Sequence, residues 1–137
     1  MRIAEIMKPV VTIEPGASLQ EAAKRMRHLD VGSIPVCDGD RLVGIITDRD
    51  ITIRATAAGL DPASSRVDQA MTPRVDCSLA NVDVKSAVRF MQAKQIRRLP
   101  ILDERRRLIG TVALADLVAV LKAEDSGRAL REISRRA

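Results

Sequence analysis

A chain of 137 residues, 46% apolar and 30% charged, suits one compact domain or two small fused halves and is too apolar for a disordered chain. No apolar run approaches the ~20 residues needed to cross a bilayer, and Met1-Arg2-Ile3-Ala4-Glu5-Ile6 lacks the apolar stretch of a signal peptide, so the expectation is a soluble cytoplasmic protein without a membrane partner. The net charge of +5 favours an anionic partner only weakly, and with no Trp, no Tyr and one Phe to stack on bases the arginine clusters make a poor case for nucleic acid.

Val10 to Ile13 reads as a short extended segment, closed by the turn composition Glu14-Pro15-Gly16-Ala17. Ser18-Leu19-Gln20-Glu21 has the form of a capping box, and Leu19, Ala22, Ala23 and Met26 put one apolar stripe on the helix that follows. His28 falls near the helix end, outside the stripe, as a solvated side chain. Ser33 to Cys37 and Arg41 to Ile46 are strands joined by Asp38-Gly39-Asp40, a hairpin signal. A helix is predicted from Asp48 to about Ala58, with Gly59 as a left-handed stop, and Leu60 to Gln69 reads as a polar connector.

The order then repeats. Met7-Lys8-Pro9 returns as Met71-Thr72-Pro73, 64 residues on; Ala22, Met26, Pro35 and Val36 return as Ala87, Met91, Pro100 and Ile101, 65 on; Gly44 and Asp50 return as Gly110 and Asp116, 66 on. The two increments fall before the first helix and in the turn between the strands, where insertions cost least. Asp83 takes the cap position of Ser18, and Val84, Ala87, Val88 and Met91 rebuild the stripe. Leu99–Leu102 and Leu108–Val112 rebuild the hairpin around the charged turn Asp103 to Arg107. A helix follows from Asp116 to about Lys122, and Gly127 separates it from an amphipathic tail whose Ala129, Leu130 and Ile133 suit a partner surface. Each half alone buries little apolar surface, so two halves pairing sheet to sheet is the stable solution.

Catalysis has a weak case. Cys37 and Cys77 share no CxxC spacing and His28 is the only histidine, so neither a metal site nor a thiol nucleophile is suggested; there is no Ser-His-Asp set and no Walker lysine. Asp48 and Asp50 diverge by about 200° on a helix and form no carboxylate pair. The informative stretch is Gly44-Ile45-Ile46-Thr47-Asp48-Arg49-Asp50, a strand running into a Thr-x-x-Asp helix start. Thr47 and Asp50 can cap the helix, or bind a ligand there: a hydroxyl donating to phosphate, a carboxylate accepting from ribose hydroxyls. The second copy has Ala113 for the hydroxyl but keeps Asp116, and it sets Arg97 and Arg98 where the first has Gly32 and Ser33. Those guanidiniums suit either a phosphate or a nearby carboxylate.

Taken together, the Met-x-Pro segments, the Ala-containing stripes, the Ile-Pro-Val and Leu-Pro-Ile strand starts and the Gly-to-Asp junctions resemble a tandem pair of CBS domains, over about residues 3–122. The resemblance implies an α+β fold of two β-α-β-β-α units packed pseudo-symmetrically through their sheets, here with a first domain at 1–60, a connector at 61–69, a second domain at 70–123 and a C-terminal helical tail at 124–137. It implies a non-catalytic regulatory module, commonly a homodimer, that binds an adenine nucleotide (AMP, ADP or ATP) or another adenosyl compound and requires no cofactor. It places Thr47 on phosphate, Asp50 and Asp116 on ribose, and Arg97 and Arg98 on phosphate. Thr12-Ile13, Ser33-Ile34-Pro35, Asp76-Cys77 and Leu99-Pro100 then border the ligand. The alternative is a ligand-independent module that docks an unknown downstream protein through its dimer surface or basic tail.

Overall fold

The computed structural model describes residues 1–136, with side chains through Gly127. The elements are α1 (Leu19–Leu29), β1 (Ser33–Asp38), β2 (Arg41–Thr47), α2 (Asp48–Asp50), β3 (Ser78–Leu79), α3 (Val84–Lys94), β4 (Arg98–Leu102), β5 (Leu108–Ala113) and α4 (Leu114–Arg136). They form two compact units that do not follow the repeat boundaries. One, here the first-repeat unit, holds Val10–Asp76 with Arg105–Leu108; the other, the second-repeat unit, holds Met1–Pro9, Cys77–Glu104 and the chain from Ile109 onward.

In the first-repeat unit, β1 and β2 pair antiparallel from Ser33↔Thr47 to Asp38↔Arg41, with a bulge after Val36 and a two-residue turn opened by Gly39 at φ +64. Ile13 lies parallel to β1 through Ile13 N–H to Pro35 O (3.1 Å) and Cys37 N–H to Ile13 O (2.9 Å). On the other side of the hairpin, Ile45 and Thr72 exchange backbone bonds of 2.9 and 2.8 Å. Helix α1 covers the sheet with Leu19, Ala22 and Met26, which join Ile34, Val36, Ile46 and Val67 in one core. Ala23, expected in the stripe, is exposed. Ser18 Oγ accepts the Glu21 N–H at 3.0 Å, but the Glu21 carboxylate does not return the bond; it pairs with Arg25 one turn on, at 3.2 Å.

Two further expectations change. The helix after β2 is α-helical only for Asp48–Asp50 and then widens into a π-helical stretch, Ile51–Thr56, before Gly59 reverses the chain at φ +75. The stretch 61–69 does more than connect: Val67 is fully buried, and its N–H reaches Ala17 O at 2.8 Å while Leu19 N–H reaches Ser65 O at 2.9 Å. Its polar composition describes its outer side only.

The second-repeat unit repeats this plan. β3 runs parallel to β4 through Ser78↔Ile101 and Leu79↔Leu102, β5 follows in the sheet, and Lys8 pairs with Thr111 as Thr72 pairs with Ile45. Ser78 opposite Ile101 therefore corresponds to Ile13 opposite Val36, and the first increment in the repeat spacing lies ahead of this strand. All four stripe residues of α3 are buried, and Ile3, Leu99, Ile101, Val112 and Leu117 complete the core, with Phe90 packed against it. Helix α4 runs unbroken through Gly127 to Arg136. One internal glycine costs about 1 kcal/mol of helix propensity, too little to stop a helix built otherwise from good formers. The side chains of Ala129, Leu130 and Ile133, expected to face a partner, lie outside the described residues.

Asp83 caps α3 by accepting the Ser86 N–H at 2.8 Å. Bonds from the Ser86 side chain and then its backbone hold the Asp83 carboxyl below the usual range. A carboxyl with a lowered folded pKa contributes stability above its unfolded pKa and loses it as pH falls through the folded value. Asp83→Ser keeps a capping oxygen that does not ionise, so its thermal stability is expected to fall less than wild type between neutral and acid pH. Parallel pH profiles of the melting midpoint would contradict this assignment.

Candidate functional site

The apolar run of β2 stops at Thr47, which stays extended while Asp48 turns helical. Thr47 Oγ1 accepts the Asp50 N–H at 3.0 Å, and Asp50 Oδ2 accepts the Thr47 N–H at 3.1 Å, so the two side chains satisfy each other's free amides in a reciprocal cap. The Thr72 hydroxyl approaches both carboxylate oxygens, at 3.4 and 3.5 Å, and Arg54 Nε stands 3.9 Å from Oδ1. The Asp50 side chain is only 11% exposed. Ser33 is Thr47's partner across the hairpin, and Asp48 N–H donates to Gly32 O at 2.9 Å, which closes the junction. Thr47, Asp50 and Ser33 are thus brought together, and Thr72 and Arg54 join them.

Thr12, Ile13, Ile34 and Pro35 lie along the same hairpin. Ile13 and Ile34 have buried side chains, both backbone groups of Ile13 are bonded in the sheet, and Thr12 O accepts from Arg25 Nη1 at 2.7 Å.

The second-repeat unit builds the corresponding junction with different chemistry. Leu114 N–H donates to Arg97 O at 2.8 Å, as Asp48 does to Gly32, but Ala113 offers no hydroxyl. Asp116 pairs with Lys8 Nζ at 3.4 Å, with side chains 42% and 71% exposed. Arg97 and Arg98 are exposed, and among the described residues neither has an ion-pair partner, so the alternative of pairing with a nearby carboxylate is not what forms. Leu99 and Pro100 are buried in β4; Cys77 is partly buried just ahead of β3, and Asp76, exposed, belongs to the first-repeat unit.

Thr72, Lys8 and Arg54 were not among the sequence-derived candidates. The signal for the first two was present in the repeat itself: Met-x-Pro recurs, its middle residue varies, and in each unit that residue reaches the helix-start aspartate. Burial pushes the Cys37 thiol up, and Asp40 adds to this, which removes it further from thiolate chemistry. A shallow surface depression of about 360 Å3 flanks the junction on its outer side, lined by Asp48, Arg49, Thr52 and Ile53. Among the described residues no group of three or more His, Cys, Asp or Glu side chains is placed to hold a metal.

Comparison with known proteins agrees with this duplicated architecture. CBS domain-containing protein YhcV of Bacillus subtilis is 41% identical over 126 residues, covering 91% of this chain and 89% of the relative. The crystal structure of Hypoxic Response Protein I with two coordinated zinc ions superposes with a TM-score of 0.77 at 36% identity, over 87% of this chain and 98% of that one. The CBS domain pair of protein MJ0100, solved with 5-methylthioadenosine and S-adenosyl-L-methionine, gives 0.73 at 27% identity, over 88% of this chain and 99% of that one. The sequence model of the CBS domain matches twice, at residues 3–55 and 67–123, each match ending beyond a helix-start aspartate, and the chain belongs to the CBS domain family as a tandem pair.

Proposed function

We propose that this chain is a non-catalytic ligand sensor that binds an adenine nucleotide or another adenosyl compound and, as a cytoplasmic homodimer, passes the occupancy of its sites to a downstream protein. The observation that carries the reading is the pair of helix-start carboxylates, Asp50 and Asp116, each set beside a donor from a Met-x-Pro segment. A carboxylate accepts from both hydroxyls of a ribose, and the neighbouring donors suit the phosphate or other group attached to it. Beyond Thr72 and Lys8, the donors for that group are Thr47 and Ser33 in the first-repeat unit and Arg97 and Arg98 in the second. In the first-repeat unit Thr12, Ile34 and Pro35 contribute backbone and aliphatic surface for a base, with Ile13 and Asp76 as bordering residues of that unit, and in the second-repeat unit Cys77, Leu99 and Pro100 do so. The relation to the MJ0100 pair, which is described with two adenosyl ligands, supports the class.

A sensor responds only if its ligand prefers one arrangement of the protein over another. Calorimetric titration with AMP, ADP, ATP, NADH and S-adenosylmethionine is the direct test. Submillimolar binding of at least one is expected, and failure of all five to bind below millimolar concentration would overturn the reading.

A further inference from the structure

Lys8 and Thr72 hold the same place in the two units. Each is the middle residue of a Met-x-Pro segment, each forms an antiparallel bridge to the residue after the strand glycine, and each reaches the helix-start carboxylate at 3.4 Å. One delivers an ammonium and the other a hydroxyl. The charges around them differ in the same sense. At the second-repeat junction Lys8 pairs with Asp116, the Arg97 carbonyl accepts from Leu114 N–H, Arg98 follows it with both arginine side chains exposed, and Ala113, Leu114 and Ala115 carry no charge. At the first-repeat junction Gly32 and Ser33 replace the arginines, Arg54 Nε stands 3.9 Å from the Asp50 carboxylate, and the Asp48 carboxylate lies over Gly32, its Oδ2 3.1 Å from where a Cβ would stand.

The Lys8–Asp116 pair contributes little to stability, because both side chains are too exposed for the attraction to escape solvent screening. An ammonium held there retains donors for a ligand. On the adenosyl-ligand reading above, we propose that the second-repeat site selects adenosine ligands carrying a polyphosphate, with Lys8 as the specificity-determining residue. The first-repeat site, with Thr72 in that place and Asp48 beside it, takes ligands with one phosphate or none. Each added phosphate brings anionic charge and acceptor oxygens, which Lys8, Arg97 and Arg98 reward and which Asp48, offsetting Arg54, opposes at the first-repeat site.

The test is calorimetry of the full chain against adenosine, AMP, ADP and ATP at two salt concentrations, for wild type, Lys8→Thr and Lys8→Arg. Lys8→Thr installs the residue that the first-repeat unit already carries at this place, so the fold is retained; circular dichroism checks this. The expected result is an ATP affinity about tenfold weaker in Lys8→Thr, with a shallower salt dependence, while AMP changes less than about threefold and Lys8→Arg keeps the preference. An ATP-to-AMP affinity ratio unchanged by Lys8→Thr, or absent in the wild type, overturns the proposal and leaves the sensor reading standing. Wild-type protein that binds none of the four overturns this proposal, and the sensor reading falls with it only if NADH and S-adenosylmethionine also fail to bind.

Discussion

Gly44→Ala is expected to lower stability by about 2 to 3 kcal/mol, and the melting midpoint by on the order of 10 °C, because the new methyl has no room. A Cβ on Gly44 would stand 2.7 Å from Met71 Sδ and 2.9 Å from the Thr72 carbonyl oxygen. The methionine can swing away at little cost, but the carbonyl cannot, since Thr72 and Ile45 are bonded to each other in both directions. Gly110 meets Met7 Sδ at 2.9 Å and Lys8 O at 3.0 Å, so Gly110→Ala is expected to damage the second-repeat unit in the same way. Gly16→Ala is the control, with nothing within 4 Å of the added atom. Thermal unfolding followed by circular dichroism compares the three, and a Gly44→Ala midpoint equal to that of Gly16→Ala would remove the close approach as the reason for the glycine. One contact thus accounts for two separate sequence signatures, the strand glycine and the Met-x-Pro segment that lies on it.

Asp50→Ala and Asp116→Ala are expected to behave alike toward ligand and differently toward denaturant. Removing the Asp50 carboxylate leaves the Thr47 N–H at a helix start and the Thr72 hydroxyl without their acceptor in a side-chain environment only 11% exposed, a loss of about 2 kcal/mol. Removing Asp116 breaks an exposed pair with Lys8, and the change is expected to stay within about 0.5 kcal/mol. Urea unfolding measures both stability changes, and nucleotide titration measures the effect of each substitution on ligand. Each substitution is expected to abolish one site and spare the other, so the Asp116 variant reports ligand binding without a stability contribution. Equal destabilisation by both would mean that Asp116 is a structural cap after all, and loss of neither site would sink the ribose assignment.

Much of the fold was legible because it is written twice. The hairpins, α3 with its four buried stripe residues, and the cap residues Ser18 and Asp83 follow from periodicity and turn chemistry that act over a few residues. What the residues could not reveal is which segment lies against which. A repeat shows that Met7-Lys8-Pro9 resembles Met71-Thr72-Pro73, but each was read as the start of its own copy. In the folded chain Lys8 pairs with Thr111 and Thr72 with Ile45. The repeat marked the two Met-x-Pro segments but not the aspartates they reach, whereas Thr47, Asp50 and Asp116 were legible directly. Smaller misreadings share a cause: local composition records average preference, and tertiary contact overrides it. Ala23 fits an apolar stripe yet lies outside the contact, Val67 sits in a polar stretch yet enters the core, and Gly127 suggests a break in a helix that continues.

The exchange of amino-terminal segments has a consequence for how the chain assembles in time. Ile3 is fully buried in the second-repeat core, and Lys8 completes that unit's sheet against Thr111. During synthesis residues 1–9 emerge before the segments they pack on, and Lys8 finds its place only after Thr111 has been made. The first-repeat unit closes earlier, once Thr72 has emerged, apart from the short Arg105–Leu108 contribution. Closing the later unit joins Lys8 to Thr111, far apart in sequence, which costs chain entropy and slows the step. Ile3 and Met7 are therefore apolar residues that wait unpartnered during synthesis, and a cut anywhere in the middle of the gene separates the second-repeat unit from a piece of its own core.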